Sequence, residues 1–314
     1  MIYPTGAQLA LTKPFKTYAQ QVELLQERGM HVENPVEAQT FLERYNYYRL
    51  SGYWYPMREF DDETGKARDV FIDGASFDLV IDLYRFDEDL RHALFFEVGQ
   101  LETAFRTMLG HELGRLDPLI HLDATKLGAV AQHQKQKGST RHSDWLANYK
   151  RSLRKSKEDF VRHHNEKYDG EMPIWAAVEI MDWGMLSHLY AMSPDIVKSD
   201  IAERCTLSAP QLGSWMKSLN ILRNLAAHHA RMFNRVYAIE PKLSSDPRLV
   251  NLASVMNRTF GQLSLVQYLL RELKLSEATR LPMILRSYPH NPLVPFSRTG
   301  APQNWDTLEL WTVL

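Results

Sequence analysis

Apolar residues recur every three to four positions along most of the chain, which predicts a protein built almost entirely of α-helices. The longest such pattern begins after Ser76 and runs to about Leu113. A serine directly before the first apolar residue is a typical helix cap, and Asp117-Pro118 follows the end of the pattern. Only residues 53–72 could form strands, and they predict either a small hairpin or a loop. We therefore expect an all-α fold.

Turn-forming residues divide this pattern into shorter helices. Asn34 followed by Pro35 predicts a helix start, since asparagine caps a helix and proline fits its first turn. Residues 131–143 are polar and predict a loop. The other predicted helices cover residues 14–28, 144–168, 174–190, 194–206, 209–217, 215–236 and 248–273.

We divide the chain into an N-terminal helical region (1–70), a main helical bundle (71–275) and a C-terminal tail (276–314) that packs back on the bundle. No uninterrupted apolar run of about 18 residues exists to span a membrane. The N-terminus lacks the basic and apolar blocks of a signal peptide. The single cysteine, Cys205, allows no disulfide within the chain, and it fits a cytoplasmic location.

Charge is balanced overall but not locally. The formal net charge is -1, so nucleic-acid binding would have to depend on a local patch. Residues 133–167 hold ten Lys and Arg residues against four acids, which favours contact with phosphates. A solvated helix and loop is the alternative. The candidate RNA-binding residues in this segment are Lys150, Arg151, Arg154 and Lys155.

Two other groups of residues carry less specific signals. The aromatic cluster within residues 45–55 could stack bases, but it is more typical of a core that packs the N-terminal helices. The adjacent pairs His163-His164 and His228-His229 would point about 100° apart on a helix and would chelate one ion poorly. We expect neither a metal nor a cofactor.

The most informative segment is SWMKSLNILRNLAAHHARMFNR, residues 214–235. Projected as a helix, it has an apolar side that includes His229 and Phe233, and Arg223 and His228 border its opposite, polar side. The polar side carries asparagines and arginines but no acid, so it needs another source of anions, and an RNA phosphate backbone would supply one. This side includes Asn220, Asn224, Arg231 and Arg235, and we count Arg235 among the RNA-binding candidates.

These residue types suit RNA cleavage. Histidine can serve as base or acid near neutral pH, and arginine holds phosphate through two parallel hydrogen bonds. One His228 and one Arg223 are too few for base, acid and clamp together, so a homodimer with its active site at the interface is expected. The alternatives are that His229 is a core residue, and that Arg231 and Arg235 are ordinary cations near a helix end.

At this point the sequence resembles the HEPN ribonucleases (higher eukaryotes and prokaryotes nucleotide-binding), and within them the Abi-like abortive-infection proteins. Residues RNLAAH match the R-N-x-x-x-H pattern of the HEPN ribonucleases, and LRNLAAHHARMFNR resembles the Abi-like signature. Five further blocks agree in order: KPFKTYAQQVELLQERG, FLERYNYYRLSGYWYPMR, LETAFRTMLGHELG, MPIWAAVEIMDWGMLSHLY and GAPQNWDTLELW.

The resemblance implies a HEPN-type helical bundle that cleaves RNA without a metal, in abortive infection or as a toxin. It implies Arg223 and His228 as the catalytic pair, with Asn224 orienting the motif. His229 and Arg231 belong to the signature with less defined roles. A regulatory RNA or an antitoxin is a further possible partner, and a non-catalytic module that binds RNA or a nucleotide is the alternative function.

The resemblance also singles out Glu102 and Arg106, which match an E-x-x-x-R block. They lie one helical turn apart and could pair with each other. They either support the catalytic helix from a neighbouring helix or form a structural ion pair inside the bundle.

Overall fold

The computed structural model describes residues 13–135 and 138–312, and this part of the chain confirms the all-α prediction. It contains 13 α-helices, short 3-10 turns and one two-stranded sheet. The first elements are α1 (Tyr18–Glu27), α2 (Pro35–Tyr45), α3 (Tyr47–Trp54), β1 (Arg58–Phe60), β2 (Ala67–Phe71), α4 (Phe77–Leu116), α5 (Arg141–Lys155) and α6 (Asp159–Lys167). Then follow α7 (Ile174–Ala177), α8 (Trp183–Met192), α9 (Asp195–Arg204), α10 (Ala209–Ala227), α11 (Pro247–Val250), α12 (Thr259–Glu272) and α13 (Arg280–Arg286).

The described chain divides into two compact units. The first takes the residues up to Arg85 together with Pro289–Pro295, and the second takes Phe86–Tyr288 and Phe296 onward. Our division of the sequence at residues 70 and 275 stays a prediction. Among the described residues, no helix combines the length and the apolar character that crossing a bilayer requires.

In the first unit, short helices pack beside a hairpin. Asn34 caps α2 as predicted, because its side chain accepts a hydrogen bond from Glu37 N at 3.2 Å. Strands β1 and β2 pair antiparallel, so residues 53–72 do contain a hairpin. Tyr53 and Trp54 of the aromatic cluster are fully buried, which confirms a packing role for these two rings.

The second unit is built around α12 and α10, which pack against each other. Every residue of α12 from Thr259 to Leu270 is buried. Helix α8 is fixed on both sides by tryptophans: Trp145 Nε1 of α5 donates to Met185 O at 3.0 Å, and its own Trp183 Nε1 donates to Met216 O of α10 at 2.7 Å. Helices α5, α8 and α10 are therefore held in a fixed order, with α8 in the middle.

The end of the C-terminal tail packs on α12 of this unit, whereas Pro289–Pro295 of the tail belongs to the first unit. Trp311 is fully buried, and its ring stacks on Phe260 of α12 with the centroids 5.0 Å apart. Helix α7 approaches α4 closely because Gly110 lacks a side chain. A Cβ at that position would lie 3.1 Å from the Cα of Trp175.

Several predicted helices prove to be interrupted. The predicted helix 174–190 is wrong, since α7 ends at Ala177 and a new helix starts after Asp182, whose side chain accepts from Met185 N at 2.8 Å. The basic helix predicted over 144–168 is two helices, α5 and α6. The helix predicted over 248–273 is likewise divided into α11 and α12.

Candidate functional site

The RNLAAH motif lies at the C-terminal end of α10. The helix runs from Ala209 to Ala227 as one element, so the two overlapping helices predicted for residues 209–236 are wrong. His228 is the C-cap, and the chain closes the helix with a Schellman motif. Ala230 N donates to Leu225 O at 2.8 Å, and His229 N donates to Ala226 O at 3.1 Å.

This ending changes the positions of both histidines. His229 adopts φ +52°, a left-handed conformation that most side chains avoid. The helical projection therefore fails beyond Ala227. His229, predicted to lie with the core, is exposed, and so is His228. Both imidazoles are accessible at the end of a helix.

The loop that follows His229 is anchored by a buried carboxylate of α4. Asp87 is fully buried, and its Oδ1 accepts from Phe233 N at 2.7 Å and from Met232 N at 3.2 Å. Arg91, one helical turn later and 2% exposed, forms an ion pair with Asp87. We infer that Asp87 and Arg91 determine the path of the chain after the motif.

Sequence analysis missed both of these residues, although a signal exists. Asp87 and Arg91 occupy positions where the apolar periodicity of α4 calls for core residues, since Leu83 and Leu90 on the same face are almost fully buried. A charged pair on a buried helix face is rare unless its members find partners. Such a pair would have indicated a structural or functional contact, although not its partner.

The side chains of Arg231 and Arg235 donate hydrogen bonds to backbone carbonyls of this loop. Arg231 Nη1 donates to Phe233 O at 3.0 Å, and Arg235 Nη1 donates to Arg231 O at 2.8 Å. The Arg235 guanidinium lies 6.0 Å from the ring centroid of Tyr237. Both arginines are half-buried. They stabilise the loop in this structure, and any contact with RNA would add to that role.

Arg223 lies on α10 against α4 and is not a free surface cation. Its Nε is 3.8 Å from Oε2 of Glu102, and its guanidinium carbon is 6.0 Å from the ring centroid of Phe95. Its Nη1 also donates to Asn224 Oδ1 at 3.4 Å. The side chain keeps 32% of its surface exposed, so a ligand can still reach the guanidinium.

Glu102 and Arg106 form the predicted i,i+4 pair. Arg106 Nη2 donates to Glu102 Oε1 at 2.9 Å and to Met181 O at 3.0 Å. The second oxygen of Glu102 faces Arg223. Glu102 therefore fits both interpretations of this pair. Its carboxylate forms an ion pair with Arg106 and also contacts the helix that carries the motif. The sequence predicts a source of anions beside the polar side of α10, and for Arg223 the carboxylate of Glu102 on α4 is one such source.

The structure thus brings some predicted residues together. Arg223, Asn224 and Glu102 make direct contacts, and Asn224 Nδ2 donates to Asn220 Oδ1 one turn earlier at 3.4 Å. His228 lies five residues after Arg223, exposed at the end of the same helix. The arrangement offers an anchored cation and an exposed imidazole at the end of one helix.

The basic candidates of α5 form a separate group. Lys150, Arg151, Arg154 and Lys155 are all exposed on that helix. Lys137, also counted in the basic segment, lies outside the described residues. The patch is accessible to an anionic partner, and Arg151 additionally lines a groove between α5, α8 and α10.

A sequence model of a family described as "Abi-like protein" matches residues 40–234, which include Glu102, Arg106 and the whole RNLAAH motif. Searches of curated proteins and of solved structures found no match. The matched region spans more than half of the chain. The chain therefore belongs to the Abi-like protein family.

Proposed function

We propose that this protein is a metal-independent endoribonuclease of the HEPN type that acts in abortive infection or as a toxin, with Arg223 and His228 as its catalytic residues. One observation carries the proposal. An accessible guanidinium, held by Glu102 and Phe95, lies on the same helix as an exposed imidazole. Membership of the Abi-like family supports the biological context.

The proposed reaction is a transesterification within RNA. The 2′-oxygen attacks the neighbouring phosphorus while a base removes the 2′-OH proton. The P–O5′ bond breaks, an acid protonates the leaving 5′-oxygen, and a 2′,3′-cyclic phosphate remains. His228 serves as base or acid, because an imidazole titrates near neutral pH. Arg223 binds the non-bridging oxygens and stabilises the charge that develops on them.

The base and the acid of this reaction are two groups, and each chain contributes one motif histidine. We therefore propose a homodimer that places two motifs at one site. The surface of α4 beside Arg223 supports this arrangement, because the Phe95 ring next to Arg223 is 46% exposed. A Cβ added at Gly99, one turn later, would meet nothing within 4 Å, so this face leaves room for a second copy.

The direct test is cleavage of a labelled RNA in EDTA by purified protein. The variants His228→Ala and Arg223→Ala should abolish cleavage and cellular toxicity while circular dichroism stays unchanged. His163→Ala, at an exposed histidine of α6, is the matched control and should cleave normally. Full cleavage by His228→Ala would overturn the proposal, and loss of wild-type activity in EDTA would overturn its metal-free part.

The dimer is tested separately. Phe95→Glu should give a monomer in analytical ultracentrifugation and should lose cleavage, because a charge placed in an apolar interface opposes association. Tight binding of RNA that stays intact under all conditions would instead support a non-catalytic RNA-binding module.

A further inference from the structure

A groove of about 820 Å³ lies between α5, α8 and α10. Its walls carry the cationic side chains of Arg141 and Arg151 from α5 and Lys217 from α10. Clefts of this size usually hold a small ligand or a short segment of a polymer. The tryptophan contacts that fix α8 between α5 and α10 also fix the walls of the groove.

The two acids of the groove are already engaged by the protein. Asp144 pairs with Lys135 at 2.8 Å, and Asp182 accepts the hydrogen bond from Met185 N that caps α8. Asp144 has a lowered pKa, owing first to its hydrogen bond with Lys135. Asp144 therefore compensates Lys135. Asp182 keeps its negative charge, so the groove carries four cationic side chains against two carboxylates.

The three other cations lack such compensation. Within residues 13–135 and 138–312, no carboxylate lies within 4.0 Å of the charged groups of Arg141, Arg151 or Lys217. The imidazole of His188 also lines the groove. Its pKa is lowered by burial first and then by the positive charges of Arg141, Lys135 and Lys217, while Asp182 acts in the opposite direction. A groove of this charge favours an anionic ligand.

The groove reaches the motif through α10. Lys217 and Asn220 line it, and Asn220 accepts the hydrogen bond from Asn224 of the motif at 3.4 Å. From Lys217 to Asn224 the helix rises about 10 Å, at 1.5 Å per residue. This rise matches about three stacked nucleotides of one strand, at 3.4 Å each.

We propose that this groove binds the single-stranded RNA segment next to the cleaved phosphate, with Arg141, Arg151 and Lys217 on its backbone. The inference rests on the proposed function, and it places the RNA in the groove and not on the outer face of α5. A single strand suits a cleft of this volume better than a duplex does, and the polar Asn220 side chain continues the binding surface toward Asn224.

The test measures binding apart from cleavage. The probe is a fluorescent single-stranded oligonucleotide with 2′-O-methyl groups throughout, which lacks the attacking 2′-OH and cannot be cut. Anisotropy is recorded over a salt series. The double variant Arg141→Gln/Lys217→Gln should weaken binding about tenfold or more, since hydrogen bonds to charged groups are strong. It should also flatten the slope of log affinity against log salt by about 1.4, or about 0.7 for each lost phosphate contact.

The matched control is Lys274→Gln/Arg286→Gln, which removes two exposed charges that lie outside α5 and do not line the groove. It should change affinity less than threefold. All four side chains are at the surface, so the melting temperature should stay at the wild-type value. Four results would overturn the proposal that the groove binds RNA. They are equal losses of affinity in both double variants, a loss in the control alone, a preference for a duplex, and no binding by the wild type.

The outcome is separable from that of the nuclease proposal. The groove proposal would be refuted, and the nuclease proposal supported, if the groove variant binds RNA with wild-type affinity while His228→Ala loses cleavage. Groove-dependent binding of a strand that is never cleaved would support the groove and refute the nuclease.

Discussion

The buried carboxylate of Asp87 offers the sharpest test of how the motif is held in place. The change Asp87→Asn keeps the shape of the side chain and removes its charge. The protonated guanidinium of Arg91, 2% exposed, would then be buried without its counter-ion. The amide oxygen of the variant can still accept from Met232 N and Phe233 N, but its NH2 then faces the Arg91 guanidinium, so a buried N–H loses its acceptor.

The magnitude follows from these contacts. Breaking a buried ion pair by removing one member costs about 3–5 kcal/mol, and an unsatisfied buried N–H costs about 1–3 kcal/mol. Because the guanidinium can shift toward other acceptors, we expect a total loss of about 4 kcal/mol in the free energy of unfolding. This is a large part of the roughly 5–15 kcal/mol that stabilises a typical protein. Cleavage should fail in the surviving folded fraction, since the loop after His229 loses its anchor.

The assay is urea unfolding of the wild type, Asp87→Asn, Arg91→Met and the double variant. Since the two side chains contact each other, the double variant should be more stable than the sum of the single losses predicts, with a coupling energy of at least about 1 kcal/mol. Strict additivity, or a loss below about 1 kcal/mol for Asp87→Asn, would refute the reasoning.

Three further predictions test other parts of the second unit. His121 is fully buried, and burial together with the neighbouring His142 lowers its pKa to about 4. Between about pH 6.5 and pH 4 the unfolded chain therefore binds a proton at this histidine, whereas the folded chain does not. Stability should therefore fall by about 3 kcal/mol between pH 6.5 and 4, and His121→Phe should remove this part of the pH dependence in urea titrations. Gly99→Ala should raise the melting temperature because it fills open space on a helix, whereas Gly110→Ala should lower it because of the contact with α7. Glu102→Gln should lower the rate of RNA cleavage about tenfold while RNA affinity stays equal or rises, which single-turnover kinetics can separate.

Local signals were sufficient to predict the longest helix. Helix α4 was predicted over nearly its full length because Ser76 caps it and apolar positions repeat without a break. The hairpin was weakly predicted because its strands are short, at three and five residues. The all-α class followed from the periodicity alone.

The end of α10 could not be predicted in the same way. Neither glycine nor proline follows Ala227, and the left-handed position is taken by His229. What determines the path beyond it is Asp87, which lies 145 positions from Met232 in the sequence. Likewise, Glu102 faces Arg223 only because α4 and α10 pack together. The candidate residues themselves were identified from the sequence, but their mutual contacts depend on tertiary structure.

Helix α4 also sets a fixed spacing between two supports of the motif. Asp87 holds the segment after it and Glu102 contacts Arg223, and about 22 Å of continuous helix separates them at 1.5 Å per residue. Inserting or deleting a single residue between them would turn one support by about 100° away from its target. Evolution can therefore exchange side chains along this stretch, but its length should be among the least variable quantities in related chains.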